Sequence, residues 1–418
     1  MSDKERILLV GQNPDTFSGN GNMLGVLAEE VDQEKYDLCA FIKDLPDADE
    51  TRDPFSPITT LPCPYILADG KSQDPWGMEK LLKTIYNTKL DQLIFVGLDI
   101  WRYAQIFDQI LELKKQKGFV WKVLVPYDLN EVRKDWLTWL NYPDQTYVYS
   151  VHGYYMLQYY KPDIKYFRPT LRFSYLYQTP KEKDKQFLRS KIFPDVNKET
   201  EIFLYLGANQ VRKNIYNMIK GFGMAAPKNS ILYMHTNNSD QIFSIDRIKR
   251  DLNIPEGKIR HNNNSRLLHP DEIAAIYQIA DCHLLVSLQE GLSWTVVESK
   301  LSGLPSVLSL STAHIDFQSQ FNIAPKPISF VKPDQNQLVP LVSDYGPCYL
   351  EASCCSPQAI RNGIQKHMSY VRKNPDNKAK LQENARKMGE QWLEGCHNFQ
   401  QHIIEDKPDT TKSIGEVL

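Results

Sequence analysis

Several features that identify common protein classes are missing from this sequence. It has no long apolar run and no apolar N-terminal segment after a basic start, so neither a membrane span nor a cleaved signal peptide is predicted, and we expect a soluble, cytoplasmic protein. Seven cysteines without a Cys-x-x-Cys pair indicate neither a zinc site nor a disulfide framework. With 49 Lys and Arg against 51 Asp and Glu, the formal net charge of -2 does not favour binding to nucleic acid or to an anionic membrane.

Two signatures of nucleotide-dependent enzymes are also missing. No Asp-x-Asp motif falls at the end of a predicted strand, since Asp47-Ala48-Asp49 lies in a proline-bounded loop, and no metal site is therefore predicted. The Rossmann Gly-x-Gly-x-x-Gly motif does not follow the first predicted strand, where only Gly19-x-Gly21 occurs. We place this pair in a loop before a helix predicted over residues 23–31. It is either a ligand-contacting loop or an ordinary strand-to-helix turn.

What the sequence does contain is a regular alternation of short apolar runs and helical stretches over 418 residues, which is enough for two domains. Strands are predicted at residues 6–11, 36–42, 90–97, 120–125, 146–151, 201–207, 230–234, 282–287 and 305–310. Helices are predicted at residues 75–87, 101–117, 271–279, 357–372 and 377–392, and from residue 215 onward. This alternation predicts doubly wound α/β domains, which bind ligands at the carboxyl edge of their sheets.

The most informative loop follows the predicted strand at residues 282–287. Backbone N–H groups of Gly291, Leu292 and Ser293 lie at the start of a helix, which is a natural site for a phosphate. Glu290 and Glu298 would repel a phosphate, so they are better suited to accept hydrogen bonds from hydroxyls on either side of it. A diphosphate flanked by hydroxyls is a nucleotide sugar. The alternative is that Glu290 caps the helix and Glu298 lies on its solvated face.

A second candidate segment follows the predicted strand at residues 201–207. Arg212 and Lys213 stand between a strand-glycine turn and a helix that begins at Ile215, where two cations can neutralise a diphosphate. A solvated basic turn is the alternative for the segment taken alone.

Two further candidates lie in the first half of the chain. Asp128 follows the strand at residues 120–125, and it either hydrogen-bonds a sugar or acceptor hydroxyl or caps a helix that begins at Leu129. His152 follows the strand at residues 146–151, and it either donates to a sugar or phosphate or packs among the neighbouring tyrosines.

These motifs resemble a known family. Glu290-Gly291, Glu298, Gly303 and Pro305 are similar to the Glu-x7-Glu signature of the retaining glycosyltransferases of family 4, and they depart from it at Ser293, where the family usually has glycine. The segment ending in Arg212-Lys213-Asn214 resembles the family's basic segment. The resemblance implies the GT-B fold, in which two doubly wound Rossmann-like domains face each other across a cleft.

The resemblance also implies a division of the chain. Residues 1–175 are expected to form the acceptor-side domain and residues 185–385 the nucleotide-sugar-binding domain, joined by a solvated linker at residues 180–185. Residues 386–418 are expected to hold a helix that crosses back to the first domain, and a tail.

The implied activity is retaining transfer of a sugar from a nucleoside diphosphate sugar to a glycan or small-molecule acceptor, without a metal or another cofactor; UDP and GDP are not distinguished. Arg212 and Lys213 are expected to bind the pyrophosphate, Glu290 the sugar and Glu298 the ribose. The family's first glycine-rich loop, here with Gly19 and Gly21, faces the donor phosphate and acceptor. A first-domain histidine of the family near the sugar is absent from its usual place.

Either Asp128 or His152 is expected to take the place of that histidine. Four other activities remain open at this stage, namely transfer to DNA, transfer to a lipid-linked acceptor, epimerisation of a nucleotide sugar, and binding without catalysis.

Overall fold

A computed structural model describes residues 4–14, 18–43, 65–67, 74, 76–97, 100–225, 227–236, 244–262, 268–343 and 346–408. The loop with Asp47 and Asp49 lies outside these residues. The chain forms two compact units. One contains residues 1–127, 131–172 and 395–418, and the other contains residues 128–130 and 173–394.

The first unit is built on a seven-stranded sheet in which every neighbouring pair is parallel, with the order β3-β2-β1-β4-β5-β6-β7. Its central strands are apolar because helices cover both faces of a parallel sheet. The strands are β1 (Glu5–Gln12), β2 (Tyr36–Lys43), β3 (Tyr65–Leu67), β4 (Gln92–Val96), β5 (Val120–Val125), β6 (Gln145–Val148) and β7 (Lys165–Tyr166).

Helices connect these strands, as a parallel sheet requires. They are α1 (Gly19–Glu29), α2 (Met78–Asn87), α3 (Ile100–Tyr103), α4 (Phe107–Lys117), α5 (Lys134–Leu140) and α6 (Val151–Leu157). The single helix predicted at residues 101–117 was wrong, because a 3-10 turn at Ala104–Ile106 divides it. Tyr103 and Phe107 on either side of that turn both pack edge-on against Phe95 of β4, with ring centroids 5.3 and 6.3 Å away. Packing thus overrides the helical composition.

The second unit contains a six-stranded sheet, also parallel at every pairing, with the order β10-β9-β8-β11-β12-β13. A separate antiparallel hairpin of β14 and β15 follows it. The strands are β8 (Glu201–Leu206), β9 (Ser230–His235), β10 (Ile259–His261), β11 (Cys282–Leu285), β12 (Ser306–Ser309), β13 (Ile328–Val331), β14 (Gln335–Ser343) and β15 (Gly346–Cys354). Because β8 and β11 are neighbours, the loops after them leave the same edge of the sheet side by side.

The helices of this unit are α7 (Glu182–Ile192), α8 (Ile215–Ala225), α9 (Ile245–Asp251), α10 (Pro270–Ile279), α11 (Trp294–Leu301), α12 (His314–Ser319), α13 (Pro357–Lys373) and α14 (Pro375–Glu394). The solvated linker predicted at residues 180–185 was wrong, because α7 begins at Glu182 and Lys185 is buried. The Lys185 ammonium lies 2.8 Å from the carboxylate of Asp281, so an apparently polar run conceals a buried ion pair.

α11 ends at Leu301, two residues before Gly303. Gly303 has a φ of 69°, in the left-handed region that favours glycine after a helix. A Cβ at this position would stand 2.3 Å from the hydroxyl oxygen of Thr179, so there is also no room for a side chain.

The chain returns to the first unit at Gly395, after α14. The buried ammonium of Lys122 on β5 donates hydrogen bonds to the main-chain oxygens of Ile403, Ile404 and Asp406, at 2.5, 3.2 and 2.7 Å. One lysine thus fixes this last segment to the sheet. Among the described residues, no helix is long and apolar enough to cross a bilayer.

Candidate functional site

The acidic loop, residues 286–293, runs from the end of β11 to the start of α11. Ser293 is the last residue before the helix and has φ 70° and ψ 60°, a left-handed conformation that is uncommon for a residue with a side chain. This is the position at which the sequence departs from the family's glycine. The backbone angle that glycine adopts freely is therefore kept here by a serine.

A buried histidine holds Ser293 in this conformation. The Ser293 Oγ lies 2.9 Å from Nε2 of His314, and the His314 Nδ1 lies 3.0 Å from the main-chain oxygen of Ser309. Burial lowers the pKa of His314 to about 4, so the ring is neutral near pH 7. A carbonyl oxygen can only accept, so the ring proton lies on Nδ1, and Nε2 accepts the hydrogen bond from the serine hydroxyl.

We expect this pair to distinguish two substitutions of Ser293. Both substitutions leave Nε2 of His314 without its partner, but Ser293→Gly also relieves the backbone strain, so its free energy of unfolding should stay within about 1 kcal/mol of the wild type. Ser293→Ala keeps the strain and leaves Nε2 of His314 buried without a partner, which should cost about 1–3 kcal/mol. Urea denaturation of both variants measures the difference. Equal stability of the two variants would contradict this account of the loop.

The charge cluster of the site consists of Arg212, Lys213 and Glu290. The Lys213 Nζ lies 2.6 Å from Glu290 Oε1, and the Arg212 Nη1 lies 3.5 Å from Glu290 Oε2. The Arg212 Nη1 also donates to the main-chain oxygen of Gln289 at 3.1 Å. Burial alone raises the pKa of Glu290, but the charges of Lys213 and Arg212 outweigh it and bring the pKa down to about 2. Glu290 is therefore ionised at any physiological pH.

Backbone contacts fix the basic segment against the acidic loop. The N–H of Leu288 donates to the main-chain oxygen of Arg212 at 2.7 Å. Asn214, which has a φ of 58°, directs its amide to the main-chain oxygens of Val286 and Cys355, at 3.3 and 3.1 Å. α8 begins directly afterwards, at Ile215. The neighbouring strands thus bring together two segments that lie 77 residues apart in the sequence.

The two cations differ in accessibility. The Arg212 side chain is 36% exposed, whereas the Lys213 side chain is 10% exposed. Burial lowers the pKa of Arg212, but the charges of Glu290 and Asp128 outweigh it and hold the pKa above its ordinary value. Burial is the main cause of the lowered pKa of Lys213. Arg212 is consequently the better placed of the two to meet a ligand.

Glu298 is the fifth of the eight residues of α11 and is 6% exposed. The phenol of Tyr277 donates to its carboxylate at 2.7 Å, and the phenol of Tyr177 also hydrogen-bonds it. Burial raises the pKa of Glu298 to about 7. The alternative that Glu298 lies on a solvated helix face is therefore wrong. The alternative that Glu290 caps α11 is wrong as well, because Ser293 occupies the cap position and the Glu290 carboxylate contacts the two cations.

The remaining predicted site residues lie elsewhere. Gly19 and Gly21 are not in a loop, because α1 begins at Gly19 and the N–H of Gly21 donates to the Ser18 hydroxyl at 3.0 Å. A Cβ on Gly21 would stand 2.3 Å from the main-chain oxygen of Asn13, which explains the glycine by close packing. His152 is the second residue of α6. A role of these three first-unit residues in binding stays a prediction.

Asp128 groups with the second unit and is half-buried. The predicted cap was wrong, because no helix of the described chain begins at Leu129; α5 begins at Lys134 after Arg133. Its role toward a sugar or acceptor hydroxyl stays a prediction.

His314 is the site residue that the sequence did not reveal. It lies 24 residues after Glu290 and belongs to no motif, and the serine in place of glycine at position 293 does not by itself identify its partner. Across the described residues, no group of three or more His, Cys, Asp and Glu side chains is arranged to hold a metal ion.

The sequence and the structure were compared with those of known proteins. No protein-family model matches the sequence, and no curated protein matches it. Solved structures do match. Sucrose-phosphate synthase from Thermosynechococcus elongatus is 15% identical, with 93% of this chain and 95% of that chain aligned and a TM-score of 0.67.

Two other structures agree equally well. A glycosyltransferase from Rickettsia africae is 13% identical over 97% of this chain and 98% of its own, with a TM-score of 0.67. HepE from Anabaena, solved in complex with UDP and glucose, is 12% identical over 96% of this chain and 98% of its own, with a TM-score of 0.67. Such low identities show the fold alone, and that fold confirms the prediction: the chain is an α/β protein with the GT-B fold.

Proposed function

We propose that this protein is a retaining glycosyltransferase that moves a sugar from a nucleoside diphosphate sugar to a glycan or small-molecule acceptor. The observation that carries the proposal is the charge cluster of Arg212, Lys213 and Glu290, which stands beside the first turn of α11 at the carboxyl edge of the second sheet. A GT-B chain with these residues at this edge has the groups that a sugar diphosphate requires, namely positive charge for phosphate and a carboxylate for hydroxyls.

The named similar structures support the class of donor. HepE was solved with UDP and glucose, and another structure of the same protein contains UDP-glucose. Sucrose-phosphate synthase and trehalose-phosphate synthase, which have the same fold as this chain, are named for making sugar phosphates. The proposal extends the nucleotide-sugar donor from these proteins to this chain.

In the proposed reaction, the bond between the sugar and the leaving phosphate oxygen breaks, and a bond from the acceptor oxygen to the same sugar carbon forms. The acceptor proton passes to the leaving diphosphate. Negative charge develops on that diphosphate, so donors already fixed in place contribute most to catalysis. Arg212 and the N–H groups of Gly291, Leu292 and Ser293 supply this stabilisation. Lys213 adds positive charge and fixes the Glu290 carboxylate toward the sugar.

Glu298 is proposed to hold the ribose. A carboxylate has about four acceptor positions, and the phenols of Tyr277 and Tyr177 use two of them, so two remain for the ribose hydroxyls. We further propose that the two cations take the place of a divalent metal ion toward the diphosphate.

The direct test is to incubate the protein with UDP-sugars and GDP-sugars, candidate acceptors and excess EDTA, and to analyse the products and their anomeric configuration. We expect one nucleoside diphosphate to be released with transfer of its sugar and retention of configuration. Formation of an isomer of the donor without release of diphosphate would instead indicate an epimerase. Activity that is lost in EDTA and returns with magnesium would contradict the metal-independent mechanism.

Arg212→Gln provides a matched variant for this assay. The side chain is partly exposed, so the variant should fold, and it should lose about 1.5–3 kcal/mol of affinity for the nucleoside diphosphate. Arg247, whose side chain is 76% exposed on α9, serves as the control when replaced by Gln. If Arg212→Gln binds the diphosphate as tightly as the control does, Arg212 does not contact phosphate.

A further inference from the structure

Gln289, the residue before Glu290, carries a buried amide. The Gln289 side chain is 4% exposed, and its Nε2 has no hydrogen-bond partner among the described residues. Buried polar groups are almost always paired, because an unpaired one loses its hydrogen bonds to water without replacement. An unpaired donor in a proposed binding loop is therefore a sign that its partner belongs to a ligand.

The backbone on both sides of Gln289 is fixed. Its main-chain oxygen accepts a hydrogen bond from Arg212 at 3.1 Å, and the N–H of the next residue donates to the Thr312 hydroxyl at 2.9 Å. Leu288, on the other side, is fully buried in an apolar group with Val339, Ala352 and Cys354. The loop thus holds the Gln289 backbone at a fixed place beside the charge cluster, with its side chain buried.

We propose that Gln289 is a specificity-determining residue that donates a hydrogen bond from Nε2 to a hydroxyl of the transferred sugar. This inference rests on the proposed function. The choice of the sugar over the phosphate follows from the neighbouring groups. Arg212 and Lys213 already supply charged donors for phosphate, whereas Gln289 is neutral and adjoins Glu290, the residue assigned to the sugar. A site that pairs with one hydroxyl rejects analogues that lack it, because the donor is then left unpaired.

The experiment compares Gln289→Met with the wild type. Methionine has nearly the same length and is apolar, so it removes the unpaired donor without opening a large cavity. We expect the midpoint of urea denaturation to stay the same or to rise. Affinity for the bare nucleoside diphosphate should be unchanged, and the dissociation constant for the matching nucleotide sugar should rise about tenfold, both measured by calorimetry. The preference for that sugar over its deoxy analogues should shrink by the same factor.

Ser302→Ala is the matched control. The Ser302 hydroxyl is also buried without a partner among the described residues, but it follows the last residue of α11, at the opposite end from the acidic loop. Its replacement should be tolerated in the same way and should leave nucleotide-sugar affinity unchanged.

Three results would overturn the inference. If Gln289→Met binds the nucleotide sugar as the wild type does, the amide has no ligand. If it loses affinity equally for the bare diphosphate, the contact is on phosphate. A marked loss of stability would show that the amide supports the fold. Failure of the proposed function is a separate result and needs no variant. The wild-type protein would then bind no nucleotide sugar.

Discussion

Replacing Lys213 with methionine is expected to lower the free energy of unfolding by about 3–5 kcal/mol, the usual cost of removing one partner from a buried ion pair. The Lys213 ammonium lies 2.6 Å from a carboxylate that is 7% exposed, and the shorter contact of Glu290 is to this lysine. Without it, Glu290 keeps only Arg212 at 3.5 Å, so it must either remain charged with little compensation or take up a proton. Urea denaturation at pH 7.5 measures the loss.

The double variant Lys213→Met with Glu290→Gln is the control for this prediction. Glu290→Gln alone leaves the lysine buried without a carboxylate and should also destabilise the protein. Together the two changes remove both charges, so the double variant should recover most of the stability that either single variant loses. None of the three should transfer sugar. If the double variant has lost the sum of the two single losses, the residues do not act as a pair.

The pH dependence gives an independent check on the same pair. Glu290 has a pKa of about 2 in the folded chain, below its ordinary value of 4.5, so the unfolded chain binds the proton more readily. The contribution of Glu290 to stability is therefore complete above pH 4.5 and is lost as the pH falls toward 2. The Glu290→Gln variant should lack this part of the acid sensitivity.

The sequence was sufficient to predict the central parallel strands of both sheets and the two loops of the site, but not the edge strands β3, β10 and β13. Apolar runs such as residues 201–207 and 282–287 are buried on both faces, and their position before loops rich in Gly, Arg and Glu follows from the strand-loop-helix order. The sequence also placed Arg212, Lys213 and Glu290 in loops of the same half of the chain, and the structure brings their side chains together. The sequence could not indicate that the cations contact Glu290 itself, because that depends on β8 and β11 being adjacent in the sheet.

The predictions that were wrong have related causes. Lys185 was placed in a solvated linker because it stands in a run of charged residues, and only its distant partner Asp281 makes its burial possible. Gly19 and Gly21 were placed in a loop because glycine is a weak helix former, but the close approach of Asn13 requires glycine inside the first turn of α1. In each case a tertiary contact outweighed the local preference.

Glu298 is expected to behave in the opposite way to Glu290. Its pKa of about 7 lies above the ordinary value of 4.5, because burial disfavours the charged form more than the Tyr277 and Tyr177 phenols favour it. The folded chain therefore binds this proton more readily than the unfolded chain does. Its contribution to stability is complete below pH 4.5 and is lost as the pH rises through 7.

Glu298→Gln should consequently stabilise the protein at pH 8, by about 1–3 kcal/mol, while changing little at pH 4.5. Glutamine is neutral at both values and can still accept from the tyrosines. The same variant should bind both the nucleoside diphosphate and its sugar about tenfold more weakly, because charge-assisted hydrogen bonds to the ribose are lost. Urea denaturation at the two pH values and calorimetry with both ligands make these measurements.

Tyr277→Phe is the matched control for this prediction, since it removes a donor from Glu298 and keeps the ring. It should lower stability at pH 8, where the carboxylate is ionised, more than at pH 4.5. If Glu298→Gln stabilises the fold and lowers the affinity for both ligands, the burial of Glu298 is maintained for binding. If Glu298→Gln is instead less stable at pH 8 and binds both ligands as the wild type does, this glutamate supports the fold and does not hold the ribose.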